Sequence, residues 1–265
     1  MGIINRLQAM GEWLRADPLG FVVYLLYFAV CVLLTLILHE VAHGYVALRC
    51  GDPTAKMLGR LSLDPRRHLD PLGTLCLVFL GFGWARPVPV NPRNFRRLRR
   101  DDVLVSVAGV TVNLTLFLLS LGLAVFFNSL LWKPDVIRFY GARELIASDG
   151  VGYAVLTSGA GAQYTDLMRY PWVQYIQRFL LMFATMNLSV GLFNLIPIPP
   201  LDGFHILNDL ILRGRLTLNG QAFRVAQAAL MILCFSGALT GVLSAAIDGA
   251  ENAVLSALLW MAGQS

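Results

Sequence analysis

Five consecutive residues carry most of the chemistry legible in the chain: His39-Glu40-Val41-Ala42-His43. A helix turns by about 100° per residue, so the two histidines fall about 40° apart, one turn from each other. Both imidazoles then reach a single metal ion, and Glu40 stands beside them as a base for a water activated by that ion. A lone histidine in an apolar helix usually serves as a hydrogen-bonding residue between helices. Two histidines and a glutamate within five residues of such a helix are costly in hydrocarbon and mark a functional interior.

A catalytic zinc normally takes three protein ligands and keeps one position for water. The third ligand has to come from elsewhere: His68, His205, Asp202 or another acid. Asp202 is best placed, because it follows Pro197, Pro199 and Pro200 and precedes Gly203. A carboxylate at a broken membrane helix is exposed to a cavity. The plainer reading of Asp202 is an N-cap for a helix over 203–213. His205 is the alternative ligand, whereas His68, among Arg66, Arg67 and Asp70, reads as part of a surface loop.

The elements that must position these residues follow from composition. Of 265 residues, 57% are apolar and 14% charged, against about 25% charged in ordinary soluble domains. That argues against a soluble globular enzyme and rules out a disordered or fibrous chain. The formal charge is +5, and eleven of the 21 basic residues lie between Arg49 and Arg100, flanked by apolar stretches. Juxtamembrane loops have this pattern. The run Arg93–Arg100, interleaved with Phe95 and Leu98, reads as an anchor on anionic headgroups, so no nucleic-acid partner is expected. The four cysteines (Cys31, Cys50, Cys76, Cys234) lack CxxC spacing and predict neither disulfides nor a thiolate zinc site.

Along the chain, 1–18 is a short amphipathic segment suited to the membrane interface. Residues 21–48 form the first span, which carries the HExxH motif. It is too long for a cleavable signal and lacks a small-residue cleavage site. Residues 51–102 form a cytoplasmic-side region containing a strand-like 57–64, an extended 85–92, and an apolar 73–84 that is too short to span and is therefore re-entrant. Residues 103–127 are a second span and 128–172 a polar extracytoplasmic loop. Residues 173–213 hold a third span with the Pro-rich Asp-Gly motif. Residues 224–263 hold the C-terminal span or spans, with 224–247 as the fourth full crossing. The expected fold is an all-α polytopic membrane protein, a single domain of about four to six transmembrane helices. A small membrane-associated β or re-entrant element lies between its first two full spans. With the basic loops inside, residues 39–43 and 202 both lie nearer the cytoplasmic face.

HEVAHG near the end of a first span, paired with NLIPIPPLDG at the end of a later one, resembles the site-2 proteases, intramembrane zinc metalloproteases. "GRLSLDPRRHLDPLGT", "FGWARPVPVNPRNFR" and "FNLIPIPPLDGFHIL" resemble the compact branch of that family, and the likeness covers most of residues 21–210. It implies one catalytic zinc ion held by His39, His43 and Asp202, with Glu40 as general base. It further implies oxyanion or substrate contacts from Asn113 and Asn194. Asn113 follows Ala108-Gly109-Val110, where the family usually has Ala-Gly-Pro. The implied substrates are transmembrane proteins or peptides cut within or near their spans, in a bacterial inner membrane. The family's peptide-binding insert has no room here, since only 128–172 is available. The strand-like 57–64 and extended 85–92 offer an edge to which an opened substrate could add. Two other readings stay open: a membrane zinc transporter or sensor, and an inactive relative acting as a binding scaffold. Glu40 separates them from the protease, because a pure binding site needs no water-activating carboxylate.

Overall fold

Apolar runs free of proline fold as long helices, because inside a bilayer each backbone N–H and C=O must find its partner within the segment. The computed structural model describes residues 3–71, 73, 76, 85–216 and 218–264. In chain order its helices are α1 (Ile3–Ala16), α2 (Pro18–Cys50), α3 (Thr54–Met57), α4 (Leu98–Leu131), α5 (Pro134–Tyr140), α6 (Ala142–Ile146) and α7 (Val151–Thr157). They continue with α8 (Val173–Asn194), α9 (Asp202–Ile206), α10 (Gly220–Ser236) and α11 (Ala238–Met261). Among the described residues, α2, α4, α8 and α11 are long and apolar enough to cross a membrane. The chain is a multi-pass membrane protein.

Three expectations need correction. No strand ladder occurs among the described residues, where only the isolated bridges Leu69–Ala85 and Trp132–Met168 are found. Residues 57–64, expected as a strand, are instead the last residue of α3 and the turn and irregular chain that follow it. Gly59 takes a φ of 64°, and the N–H groups of Gly59 and Arg60 donate back to Lys56 O (3.0 Å) and Ala55 O (2.8 Å). A left-handed glycine is the common way to close a helix, and it consumes the backbone groups a strand would have needed. The re-entrant reading of 73–84 falls almost wholly outside the described residues. At the other end, the crossing expected over 224–247 is interrupted at Gly237, where α10 ends with φ 74°. The apolar helix that follows is Ala238–Met261.

The chain divides into two compact units. The first comprises residues 1–8, 33–114 and 190–243. Its organising contact is Asp52, fully buried just past the end of α2. This carboxylate accepts from the Thr54 N–H and hydroxyl and from Asn94 Nδ2 (2.7 Å) through Oδ1, and from the Asn91 N–H (2.7 Å) through Oδ2. Burial alone would raise its pKa, but the Asn91 N–H and the other donors outweigh that and hold it below the usual carboxylate value. The contact ties the proline-rich stretch 85–91 to the end of α2. Ala47, Cys50, Phe95 and Val105 close a small core there.

The second unit comprises residues 9–32, 115–189 and 244–265. Cys31, Met182 and Phe183 form its core cluster, packed by Tyr24, Tyr27, Phe28, Leu116 and Phe179. Its segment 128–172, polar enough to read as a loop, folds into α5, α6, α7 and a 3-10 stretch over Ala160–Leu167. Leu145, Ile146, Ala147 and Leu156 are buried from it.

Candidate metal centre

His39 and His43 project from the same face of α2 and are 5% and 8% exposed. Their Nε2 atoms lie 3.0 Å apart, and each is 3.3 Å from Oδ2 of Asp202, the first residue of α9. Among the described residues, these three are the group that could hold a metal ion.

Helix α4 sets the protonation of the site. His39 Nδ1 lies 2.9 Å from Asn113 Oδ1, and His43 Nδ1 lies 2.7 Å from the Val105 carbonyl oxygen. Both partners are acceptors, so each Nδ1 carries a ring proton, and in the neutral ring each Nε2 presents a lone pair. Metal-binding histidines are oriented in this manner by a second layer of acceptors. Asp202 Oδ2 is buried with no hydrogen-bond donor. With both rings neutral, three lone-pair atoms converge on one point, an arrangement that a cation would resolve. Two imidazole nitrogens and one carboxylate oxygen are the donor set of a catalytic zinc site, with a coordination position left over.

The rings fit because residue 109 is glycine. A Cβ there would lie 2.5 Å from both His39 Cε1 and His43 Nε2, closer than carbon and nitrogen can pack. Glu40, next to His39, accepts the Val88 N–H through Oε2 at 2.7 Å. Its carboxylate is thereby held against the extended stretch 85–91.

The other candidates are placed elsewhere. Asn113 reaches His39, and its Nδ2 is buried without a partner. Asn194 Nδ2 donates to Val190 O within its own helix (3.0 Å). His205 pairs with Asp102 at 3.2 Å. His68, read as a surface residue, is 1% exposed, with Nε2 against Ser62 O at 2.7 Å. The N-cap of α9 is Leu201 and Asp202 is the first residue inside the helix, so the plainer reading of Asp202 as the N-cap fails, and its carboxylate lies beside the histidines.

Residues 27–237 match the model of peptidase family M50. The chain belongs to that family. Similar proteins include "Putative zinc metalloprotease YwhC" of Bacillus subtilis, 37% identical over 73% of this chain and 72% of that one. Another is "Putative zinc metalloprotease Rip2" of Mycobacterium tuberculosis (strain ATCC 25618 / H37Rv), 28% identical over 91% of this chain and 81% of that one. No solved structure is a significant match. Within this M50 chain, sequence reasoning missed the Val105 carbonyl, the Val88 N–H and the steric role of Gly109. The first two are main-chain groups and leave no signature in residue type. Gly109 could have been found, because a glycine in an apolar helix marks a weak or closely approached point.

Proposed function

We propose that this chain is an intramembrane zinc metalloprotease that hydrolyses peptide bonds within or near the transmembrane segments of its substrates. The observation that carries the reading is the convergence of His39 Nε2, His43 Nε2 and Asp202 Oδ2 within 3.3 Å of one another, next in sequence to an acid. Zinc held there supplies Lewis-acid activation of water and of the peptide carbonyl. Glu40 takes the proton from the attacking water and returns it to the leaving amine. The Val88 N–H occupies Oε2 and leaves Oε1 for that proton. Asn113 fixes the His39 ring and keeps Nδ2 as a donor for a substrate carbonyl. Asn194, whose amide serves its own helix, takes no part in this account.

A helical substrate hides its carbonyls in i→i−4 bonds and has to open before it is cut. The stretch 85–91, fixed beside Glu40, is the part of the chain suited to receive the opened strand. Arg93, Arg96, Arg97, Arg99 and Arg100 are all exposed, which supports a cytoplasmic placement of this side of the site, in the inner membrane of a bacterium.

The test is Glu40→Gln in the full chain, purified in detergent with a transmembrane peptide substrate. Cleavage should fall by at least about a hundredfold while zinc content stays at the level of the unaltered protein. Undiminished cleavage by Glu40→Gln would overturn the mechanism.

A further inference from the structure

Asp202 has little on its own side to hold it. The segment before it contains Pro197, Pro199 and Pro200, which donate no backbone hydrogen bonds. Ile198 N–H to Ile196 O and Leu201 N–H to Ile198 O are its turns. The support comes from the residues that follow. His205 lies three positions on and therefore on the same face of α9. Its Nδ1 is 3.2 Å from Oδ2 of Asp102, whose side chain is 16% exposed. Asp102 sits on α4, three residues before Val105, the carbonyl that orients His43. The same helix carries Asn113, which orients His39. Asp209, one turn past His205, is a neighbour of the same Asp102 carboxylate. Burial and then the Asp102 neighbour push its carboxyl up to about 6.

We propose that Asp102 and His205 are positioning residues for the metal centre: their pair locks the turn bearing Asp202 onto α4, the helix that already orients both histidine ligands. One helix then sets all three ligands. His43 is aligned through a main-chain carbonyl, His39 through an amide oxygen, and Asp202 through the carboxylate–imidazole pair three residues beyond it. The pair touches neither substrate nor the reacting atoms. Its effect is read in how tightly the metal is kept.

This inference rests on the metal reading above, and the experiment separates the two. Zinc dissociation from the full chain in detergent is measured against a graded series of chelators for the unaltered protein, Asp202→Asn, His205→Ala, Asp102→Ala, the double variant His205→Ala/Asp102→Ala, His205→Asn and Asp102→Asn. His205→Ala and Asp102→Ala should each weaken zinc retention by about ten- to a hundredfold, and the double variant by no more than either alone. His205→Asn, whose amide nitrogen takes the place of Nδ1, should recover most of the affinity, which a merely space-filling role would not produce. Asp102→Asn keeps the side-chain shape and guards against misfolding. It should elute as the unaltered protein does and release zinc several-fold more readily. Unaltered zinc affinity in His205→Ala and Asp102→Asn, with zinc lost in Asp202→Asn, would overturn the positioning role alone. Equal zinc content in the unaltered chain and Asp202→Asn would overturn the metal reading and the inference with it.

Discussion

A Cβ atom at Gly109 would lie 2.5 Å from His43 Nε2, so helix α4 approaches the imidazole pair as closely as a residue without a side chain permits. Gly109→Ala puts a methyl group against the very nitrogen that has to bind the metal. An alanine otherwise favours a helix by about 1 kcal/mol over glycine, which offsets part of the roughly 1–3 kcal/mol cost of the added methyl, so the variant should fold with a modestly lowered melting point. Its zinc content should nevertheless fall well below one ion per chain. Metal analysis and a thermal melt on the same sample check both halves.

Glu40 accepts the Val88 N–H at 2.7 Å. Val88→Pro deletes that donor in a stretch that is already extended between Pro87 and Pro89, so the backbone needs little adjustment. A hydrogen bond to a charged group contributes about 1.5–3 kcal/mol, or roughly a ten- to hundredfold effect on kcat if it acts through the base. Steady-state cleavage by Val88→Pro should show that loss in kcat with zinc content unchanged. An unchanged kcat would remove Val88 from the account of the base.

Asp52 is buried among four donors, and its folded-state pKa lies below the ordinary carboxylate value. A group depressed in this way stabilises the fold at pH values above its unfolded-state pKa, and that contribution is lost as pH falls through the folded-state value. Asp52→Ala should cost about 2–4 kcal/mol at neutral pH, since it strands the donors of Asn91, Asn94 and Thr54. The gap in thermal midpoint between the two proteins should narrow below about pH 4. Melts recorded from pH 7 downwards measure it directly.

The grouping of His39, His43 and Asp202 was legible because its constraint is chemical: HExxH fixes two imidazoles by helical spacing alone, and three prolines before Asp202 announce a break that could present a carboxylate. The first three long apolar helices were legible for the same kind of reason, since a long apolar run has few alternatives in a bilayer. Elsewhere the residue pattern misled. Met57 to Leu63 alternates as a strand would, yet Gly59 turns the chain back onto α3. Residues 128–172 are polar and still helical, because Leu145, Ile146 and Leu156 bury one side of short helices whose period is hidden by their length. The break at Gly237 was hidden inside a continuous apolar run. The Asp102–His205 pair joins residues far apart in the chain, and no local pattern announces it.

The central claim is that His39, His43 and Asp202 hold one zinc ion, and elemental analysis of the purified full chain measures this most directly. One zinc per chain is predicted for the unaltered protein, with a fall to near zero in Asp202→Ala and in His39→Ala, each still eluting as a folded species. A stoichiometric zinc that survives both substitutions, or an unaltered protein that binds none when zinc is supplied, would contradict it.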